Sequence, residues 1–231
     1  METPRAWVVM AHCFTCNKNY LALARIAHRW VRAGVAVLRF DFTGLGDSQG
    51  RFSETTFSDY VADLEAAADH LRRHYAPPTA LFGHSLGGAA ALAAAAHIPE
   101  VEAVVTLAAP SHPAQLLEHF RGVLPRIEAE GEAWVEIGGR RWPLTRRFVD
   151  DLQRHDLREA LRRWGGALAV FHGIGDQVVS VTHAERLFGW APGPRALTLL
   201  ERADHLLTDR ADAGLVADMA AAWIGRYGPA R

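Results

Sequence analysis

Short, continuous apolar runs alternate with amphipathic stretches along almost the whole chain, and this rhythm constrains the fold more than any other feature of the sequence. Strands covered by helices on both faces read as continuous apolar runs, and parallel neighbours need a crossover between them. The rhythm therefore predicts an α/β fold with a doubly wound, mainly parallel, six-stranded sheet. The predicted strands cover residues 7–11, 35–40, 80–82, 101–107, 167–171 and 195–200, and the predicted helices cover residues 20–32, 59–75, 86–97, 181–188 and 215–227.

One long segment, residues 111–166, interrupts this rhythm. Connections between a strand and a helix usually take roughly two to six residues, so a segment of this length should carry structure of its own. Helical patterns at residues 115–127 and 147–163 flank two short runs around Gly138-Gly139, a pair typical of a two-residue hairpin turn. We therefore predict a core of residues 1–110 and 167–231 and a helical and hairpin cap insertion of residues 111–166. The cap should fold over the functional site and set specificity.

The composition argues against several classes of function. The 25 Lys and Arg residues are matched by 26 Asp and Glu residues, whereas a general nucleic-acid binder needs a basic excess to displace counterions. No apolar run is long enough to span a membrane, so neither nucleic acid nor membrane is an expected partner. Cys13 and Cys16 are too few for a disulfide framework and are typical of a reducing compartment. We therefore expect a cytoplasmic protein.

The segment Gly83-His84-Ser85-Leu86-Gly87 stands where a predicted strand ends and a predicted helix begins. A G-x-S-x-G sequence in this setting predicts a nucleophile elbow. The turn is so tight that a side chain two residues before or after the serine would collide with it, and glycine removes that side chain. The hydroxyl of Ser85 should then stand clear at the carboxyl edge of the sheet.

A nucleophilic serine needs a base, and the base needs an acid that orients it. Asp176 follows the strand predicted at residues 167–171, and His205 follows the strand predicted at residues 195–200. The order serine, acid, histidine is the one in which this kind of elbow is completed. Asp204 is the alternative acid, but it neighbours His205 and adjacent side chains diverge. His84 should pack beneath the turn rather than act as the base.

Acyl transfer also needs donors for the negative charge that develops on the carbonyl oxygen. The backbone N–H of Leu86, directly after the serine, is the first predicted donor. The second should come from the loop after the first strand, where we predict the N–H of Phe14.

The residues quoted above, together with residues 12–16, 39–46, 172–179 and 203–207, resemble the α/β-hydrolase superfamily over essentially the whole chain. More narrowly, the chain resembles the hydrolase module that is often fused to an OsmC-like peroxide-detoxifying domain. The resemblance implies an α/β-hydrolase fold lacking its first two strands. It also implies a carboxylesterase-like activity on ester bonds, with thioesterase, lipase or peptidase activity as alternatives, and no cofactor.

We therefore expect a serine hydrolase that cleaves an ester or related acyl bond of a small molecule through an acyl-enzyme intermediate. The apolar residues of residues 111–166 either bind an apolar part of the substrate or form the small core of the cap itself. The candidate pocket residues are His12, Cys13, Leu117, Phe120, Trp134 and Trp142. These residues call for no metal.

Two other classes of function stay open from the residues alone. Cys13-Phe14-Thr15-Cys16 is a C-x-x-C sequence after a strand, the setting of a redox dithiol, and with His12 it could supply three metal ligands. A redox or peroxide-defence accessory would depend on both cysteines but not on Ser85. The third class is a non-catalytic binding module on a hydrolase scaffold.

Overall fold

A computed structural model describes residues 3–228, and its centre is a parallel sheet of six strands in the order β2-β1-β3-β4-β7-β8. A separate antiparallel pair is formed by β5 and β6. Every neighbouring pair in the six-stranded sheet is parallel, which confirms the predicted fold class. The strands are β1 (Ala6–Ala11), β2 (Val35–Arg39), β3 (Ala80–His84), β4 (Ala103–Leu107), β5 (Glu132–Ile137), β6 (Arg140–Thr145), β7 (Ala167–Gly173) and β8 (Arg195–Leu200).

Helices cover both faces of this sheet, as the continuous apolar strands require. The helices are α1 (Leu21–Arg32), α2 (Phe57–His74), α3 (Leu86–Ala95), α4 (Leu124–Glu130), α5 (Arg146–Leu152), α6 (Leu157–Trp164), α7 (Thr182–Trp190) and α8 (Arg210–Tyr227). One buried cluster joins α1 and α8 to the sheet, and a second joins α2, α3, α6 and α7 to it. No helix within residues 3–228 is both long enough and apolar enough to cross a membrane.

Side-chain caps explain where two helices begin earlier than predicted. Helix α2 starts at Phe57 because the Thr56 hydroxyl and the Asp59 carboxylate form a reciprocal capping box. Helix α8 starts at Arg210, since the Asp209 side chain accepts hydrogen bonds from the N–H groups of Ala211 and Asp212. In both cases the apolar periodicity begins after the cap, so a reading of periodicity places the start too late.

The hairpin predicted inside residues 111–166 is confirmed, but each of the two helices predicted there is divided. The hairpin turn is Gly138-Gly139, and both glycines have the positive φ that a type I′ turn requires. The helix predicted at residues 115–127 is a 3-10 helix, Pro113–Phe120, followed by the separate helix α4. Pro125 explains the division, because proline lacks the N–H that a continuing helix needs and is tolerated at a helix start.

The helix predicted at residues 147–163 is likewise α5 and α6, with Asp156 capping the second. The hairpin places Ala133 and Val135 in the core cluster shared with α2 and α3, while Trp134 faces the other way. The inserted segment therefore packs on the face of the sheet that α2 and α3 cover, and it shares the apolar core there.

Candidate active site

The turn between β3 and α3 has the strained geometry of a nucleophile elbow. Ser85 has φ +54° and ψ −124°, a conformation that a non-glycine residue adopts only when its surroundings impose it. A Cβ on Gly83 would lie 2.3 Å from the Gly87 carbonyl oxygen, and a Cβ on Gly87 would lie 2.2 Å from the His12 carbonyl oxygen. Close backbone approach therefore requires both glycines: Gly83 lies against the start of α3, and Gly87 lies against the loop after β1 rather than against the turn itself.

Three side chains from separate loops form a chain of hydrogen bonds at the carboxyl edge of the sheet. Ser85 Oγ lies 3.0 Å from His205 Nε2, and His205 Nδ1 lies 2.8 Å from Asp176 Oδ2. Ser85 and Asp176 are buried, with 8% and 7% of their surfaces exposed. The alternative acid, Asp204, instead accepts hydrogen bonds from the N–H and hydroxyl of Thr208.

Asp176 is held as a carboxylate by its hydrogen bonds. Burial alone would raise its pKa, but the hydrogen bond from His205 and those from the N–H groups of Val178 and Val179 outweigh this effect and lower the pKa below its usual value. The two N–H groups both donate to Oδ1, at 2.8 and 3.0 Å, which leaves Oδ2 for His205. His172 borders this carboxylate and hydrogen-bonds the Val179 carbonyl.

The two backbone N–H groups predicted as oxyanion donors belong to Leu86 and Phe14. Leu86 is the first residue of α3, where an N–H has no partner within the helix, and among residues 3–228 neither its N–H nor that of Phe14 donates to an acceptor. Leu86 lies next to Ser85 in the chain, and Phe14 lies in the loop after β1, the strand paired with β3. The Phe14 ring is held against Phe52 and Phe148.

The loop after β1 differs from the sequence-based expectation because its cysteines are joined. Cys13 and Cys16 form a disulfide on either side of Phe14, so in this state neither offers a free thiol for a metal or for exchange. Thr15, between them, has φ +58°. Within residues 3–228 no group of three or more His, Cys, Asp and Glu side chains is arranged to hold a metal ion.

His12 has a role in the protein framework rather than the candidate pocket role predicted for it. Its Nδ1 donates to the Cys13 carbonyl at 2.8 Å, and its Nε2 accepts from the Phe42 N–H at 3.2 Å. Burial lowers its pKa, so the ring is neutral. Both nitrogens are thus used to brace the loop, and neither is left to bind a substrate.

The remaining candidate pocket residues lie in different surroundings. Leu117 is buried in the core cluster shared with α2 and α3, and Phe120 and Trp142 are partly buried against it. The Trp142 ring packs edge-on against Phe52, with centroids 4.9 Å apart. Trp134 is 51% exposed on the outer face of the hairpin. Three of these residues therefore meet at one apolar cluster, and Trp134 lies apart from it.

Sequence reasoning missed the contacts between the inserted segment and the loop that carries Asp176. Gln115 Nε2 and His119 Nε2 both hydrogen-bond the Val178 carbonyl, at 3.0 and 2.9 Å. The N–H of that same residue binds Asp176. No local pattern in the sequence announces such a contact, since it joins residues far apart in the chain.

Comparison with known proteins agrees with this architecture. The family described as "Serine aminopeptidase, S33" matches residues 2–143. The chain is 25% identical over 216 residues to the palmitoyl-protein thioesterase ABHD10 of Mus musculus, a mitochondrial protein, covering 88% of this chain and 70% of the relative. For the Homo sapiens protein the identity is 28% over 199 residues, covering 79% of this chain and 61% of the relative.

Solved structures show the same fold. The esterase domain of a Rhodothermus marinus protein is 39% identical with a TM-score of 0.76, covering 97% of this chain and 88% of that one. Mouse alpha/beta hydrolase domain-containing protein 10 has a TM-score of 0.83 at 20% identity, covering 98% and 92% of the two chains. The family match takes in more than half of the chain and includes the elbow. The protein therefore belongs to the serine aminopeptidase S33 family of α/β-hydrolase enzymes.

Proposed function

We propose that this hydrolase cleaves an ester or a related acyl bond through an acyl-enzyme formed on Ser85. His205 Nε2 takes the proton of the Ser85 hydroxyl as its oxygen attacks the acyl carbonyl, and Asp176 holds the ring in the tautomer with a bare Nε2. The tetrahedral intermediate places its oxyanion on the N–H groups of Leu86 and Phe14. His205 then returns the proton to the leaving group, and the acyl-enzyme remains.

In the second half of the reaction, water is the nucleophile and Ser85 is the leaving group. A water molecule gives its proton to His205 as it attacks the acyl carbon, and the protonated ring passes this proton back to Ser85 as the acid product leaves. The observation that carries the proposal is the unbroken chain from Ser85 Oγ through His205 to Asp176, at 3.0 and 2.8 Å. A binding module would have no need of this arrangement on a strained turn.

The names of the related proteins favour an ester or thioester as the substrate. The Rhodothermus marinus domain is named an esterase, and the mouse and human relatives are named palmitoyl-protein thioesterases. An oxygen ester and a thioester differ in the leaving group, while the acyl carbonyl that Ser85 attacks is the same. We therefore propose a carboxylesterase-like activity with thioesters as an alternative substrate class.

We also propose that residues 111–166 act as a cap that sets acyl preference. Phe148 of α5 stacks on Phe14 with centroids 5.4 Å apart, so an aromatic wall from the cap stands beside the proposed oxyanion donor. The cap also reaches the acid loop through Gln115 and His119. Trp134 points outward and is not included in the proposed pocket.

The proposal is tested by covalent labelling with a fluorophosphonate, read by intact mass. The wild type should carry one adduct that is lost in Ser85→Ala and kept in Cys13→Ser/Cys16→Ser. A folded wild type without an adduct would contradict an activated serine. An adduct lost only in the double cysteine variant would favour the redox class, which the disulfide beside β1 supports.

The substrate class is tested with p-nitrophenyl esters and matched thioesters whose acyl chains run from acetyl to palmitoyl. Phe148→Ala should shift the preferred acyl length, because it removes a ring beside Phe14. Trp134→Ala is the matched control, since this aromatic residue of the same segment faces outward. An unchanged length profile in Phe148→Ala would contradict the proposed role of the cap.

The compartment remains a prediction. The small number of cysteines predicts the cytoplasm, but Cys13 and Cys16 form a disulfide, a bond that is rare there. The curated relatives are named as mitochondrial proteins. Fractionation of cells that express the full protein at its natural level distinguishes the two.

A further inference from the structure

The ring of His84 lies between the nucleophile and the loop that carries the proposed base. His84 ends β3 directly before Ser85, and its side chain is fully buried. Its Nε2 is 2.8 Å from the backbone carbonyl oxygen of His205. A carbonyl oxygen only accepts, so this nitrogen must carry the proton and donate it. Burial lowers the pKa of His84 to about 3, which keeps the ring neutral.

The other ring nitrogen shows that His84 is not simply a space-filling residue. Among residues 3–228 the buried Nδ1 of His84 has no hydrogen-bond partner. A buried polar atom without a partner costs free energy, and a phenyl ring of similar shape would avoid that cost. The donation to the His205 carbonyl is what the imidazole provides and a phenyl ring would not.

A second side chain holds the next carbonyl of the same loop. The Tyr20 ring stacks on His84, with centroids 5.8 Å apart and planes at 16°. Its hydroxyl donates to the Leu206 carbonyl at 2.5 Å. Leu207 follows with φ +49°, a conformation that needs support from its surroundings. The carbonyl groups of two consecutive residues, His205 and Leu206, thus accept hydrogen bonds from the stacked side chains of His84 and Tyr20.

We propose that His84 is a positioning residue that sets the separation of Ser85 and His205 by holding the backbone of the base; this inference rests on the proposed function. The residue next to the nucleophile donates directly to the main chain of His205, so the two reacting side chains share one short mechanical link. Tyr20 supports the same link. Because a displacement of about 1 Å can cost a reaction on the order of 100-fold, loss of this link should appear in the rate.

The test compares His84→Phe with His84→Gln by the rate of fluorophosphonate labelling and by hydrolysis of p-nitrophenyl butyrate. His84→Phe should lower the labelling rate and kcat by about 10- to 100-fold, with little change in KM. His84→Gln retains an N–H donor and should recover part of the loss. Phe82→Leu is the control: Phe82 lies two residues earlier on the same face of β3, packed on Trp30. It should lower Tm and leave the labelling rate unchanged.

A proton NMR spectrum provides a readout that a loss of stability alone would not move. The His205 Nδ1 proton, shared with Asp176, should resonate far downfield in the wild type and shift or broaden in His84→Phe. Tyr20→Phe keeps the stacked ring but loses the hydroxyl, so it should show a smaller effect of the same kind. Wild-type labelling and an unmoved resonance in His84→Phe would overturn the proposal.

The outcomes separate this inference from the proposed function. A wild type that does not react with the probe contradicts the serine mechanism itself. A wild type that reacts through Ser85, with an equally reactive His84→Phe, contradicts only the role of His84. If His84→Phe does not fold, His84→Leu, which also lacks a donor, replaces it, and wild-type rates in both His84→Leu and Tyr20→Phe overturn the proposal.

Discussion

Replacement of Asp176 by asparagine tests the proposed mechanism most directly, because the structure determines how the new amide must sit. Oδ1 of Asp176 accepts the N–H groups of Val178 and Val179, while Oδ2 accepts from His205. In Asp176→Asn only the amide oxygen can accept those two N–H groups. The amide NH₂ is then left at the Oδ2 position, 2.8 Å from His205 Nδ1 in the present structure.

That orientation reverses the tautomer of the base. The NH₂ group donates, so His205 Nδ1 must be bare and its proton moves to Nε2, the nitrogen 3.0 Å from Ser85 Oγ. A protonated Nε2 cannot take the serine proton. The same exchange in a serine–histidine–aspartate site lowers kcat by about 10⁴-fold. This loss corresponds to about 5.5 kcal/mol of transition-state stabilisation, at roughly 1.4 kcal/mol for each factor of ten.

The assay is p-nitrophenyl ester hydrolysis at neutral pH, with the fluorophosphonate labelling rate as a second measure. Asp204→Asn is the matched control, because among residues 3–228 this neighbouring carboxylate hydrogen-bonds Thr208 alone and an amide can keep both contacts. We expect about a 10⁴-fold loss in Asp176→Asn and less than a ten-fold loss in the control. A folded Asp176→Asn protein with a kcat within ten-fold of the wild type would refute Asp176 as the acid that orients His205. A larger loss of kcat in Asp204→Asn than in Asp176→Asn would assign this role to Asp204 instead.

Three further predictions test the loop after β1, the elbow and the response to acid. Cys13→Ser/Cys16→Ser should slow fluorophosphonate labelling by about ten-fold, because the Phe14 N–H loses the support of the disulfide. This loss is smaller than the roughly 10²–10³-fold cost of deleting an oxyanion donor, and a wild-type labelling rate would contradict the prediction. Gly87→Ala should abolish labelling, since its Cβ would lie 2.2 Å from a backbone carbonyl of that loop, whereas Gly189→Ala has open space and should label normally. Burial lowers the pKa of His183 to about 4. Below about pH 6.5 the unfolded chain therefore takes up a proton that the folded protein does not take up until about pH 4. Over this range the free energy of unfolding should fall by up to about 1.4 kcal/mol per pH unit. Urea unfolding across that range should show a shallower fall for His183→Gln, and equal slopes would contradict the assignment.

The sheet could be predicted because its determinants are local and repeated. Each strand is a continuous apolar run, and burial on both faces follows directly from that pattern. The order of Ser85, Asp176 and His205 could also be predicted, since each follows a strand and the carboxyl ends of parallel strands meet at one edge. These inferences needed the positions of strand ends to within a few residues and no knowledge of side-chain contacts.

The inserted segment was harder to predict because weaker signals compete there. The apolar spacing of residues 115–127 is helical, yet Pro125 forces a new helix to start inside that window. In residues 147–163 the periodicity continues across a break that Asp156 caps. Backbone hydrogen-bond partners, rather than apolar spacing, decide these boundaries. The Gly138-Gly139 turn was predictable for the opposite reason, since its positive φ angles favour glycine strongly.

The supports of the site could not be derived from the sequence, because each joins residues that only the folded chain brings together. The hydrogen bond from His84 to the His205 carbonyl spans 121 positions. Its chemistry explains why a strand-end histidine resembles an ordinary core residue in the sequence: the imidazole serves a backbone atom, and a backbone atom leaves no trace in the pattern of side chains. The C-x-x-C spacing was visible, but not whether the two sulfurs would be joined.

Side chains of residues 111–166, the proposed cap, contact two of the loops that support the proposed catalytic residues. Two of its side chains, Gln115 and His119, bind the carbonyl of Val178, and the N–H of Val178 binds Asp176. A third, Phe148, stacks on the ring of Phe14, the residue proposed to offer the second oxyanion N–H. A movement of residues 111–166 would therefore disturb the orientation of the acid and the wall of the oxyanion loop together. The segment that interrupts the β–α rhythm in the sequence is in this way built into the support of the residues that the rhythm positions.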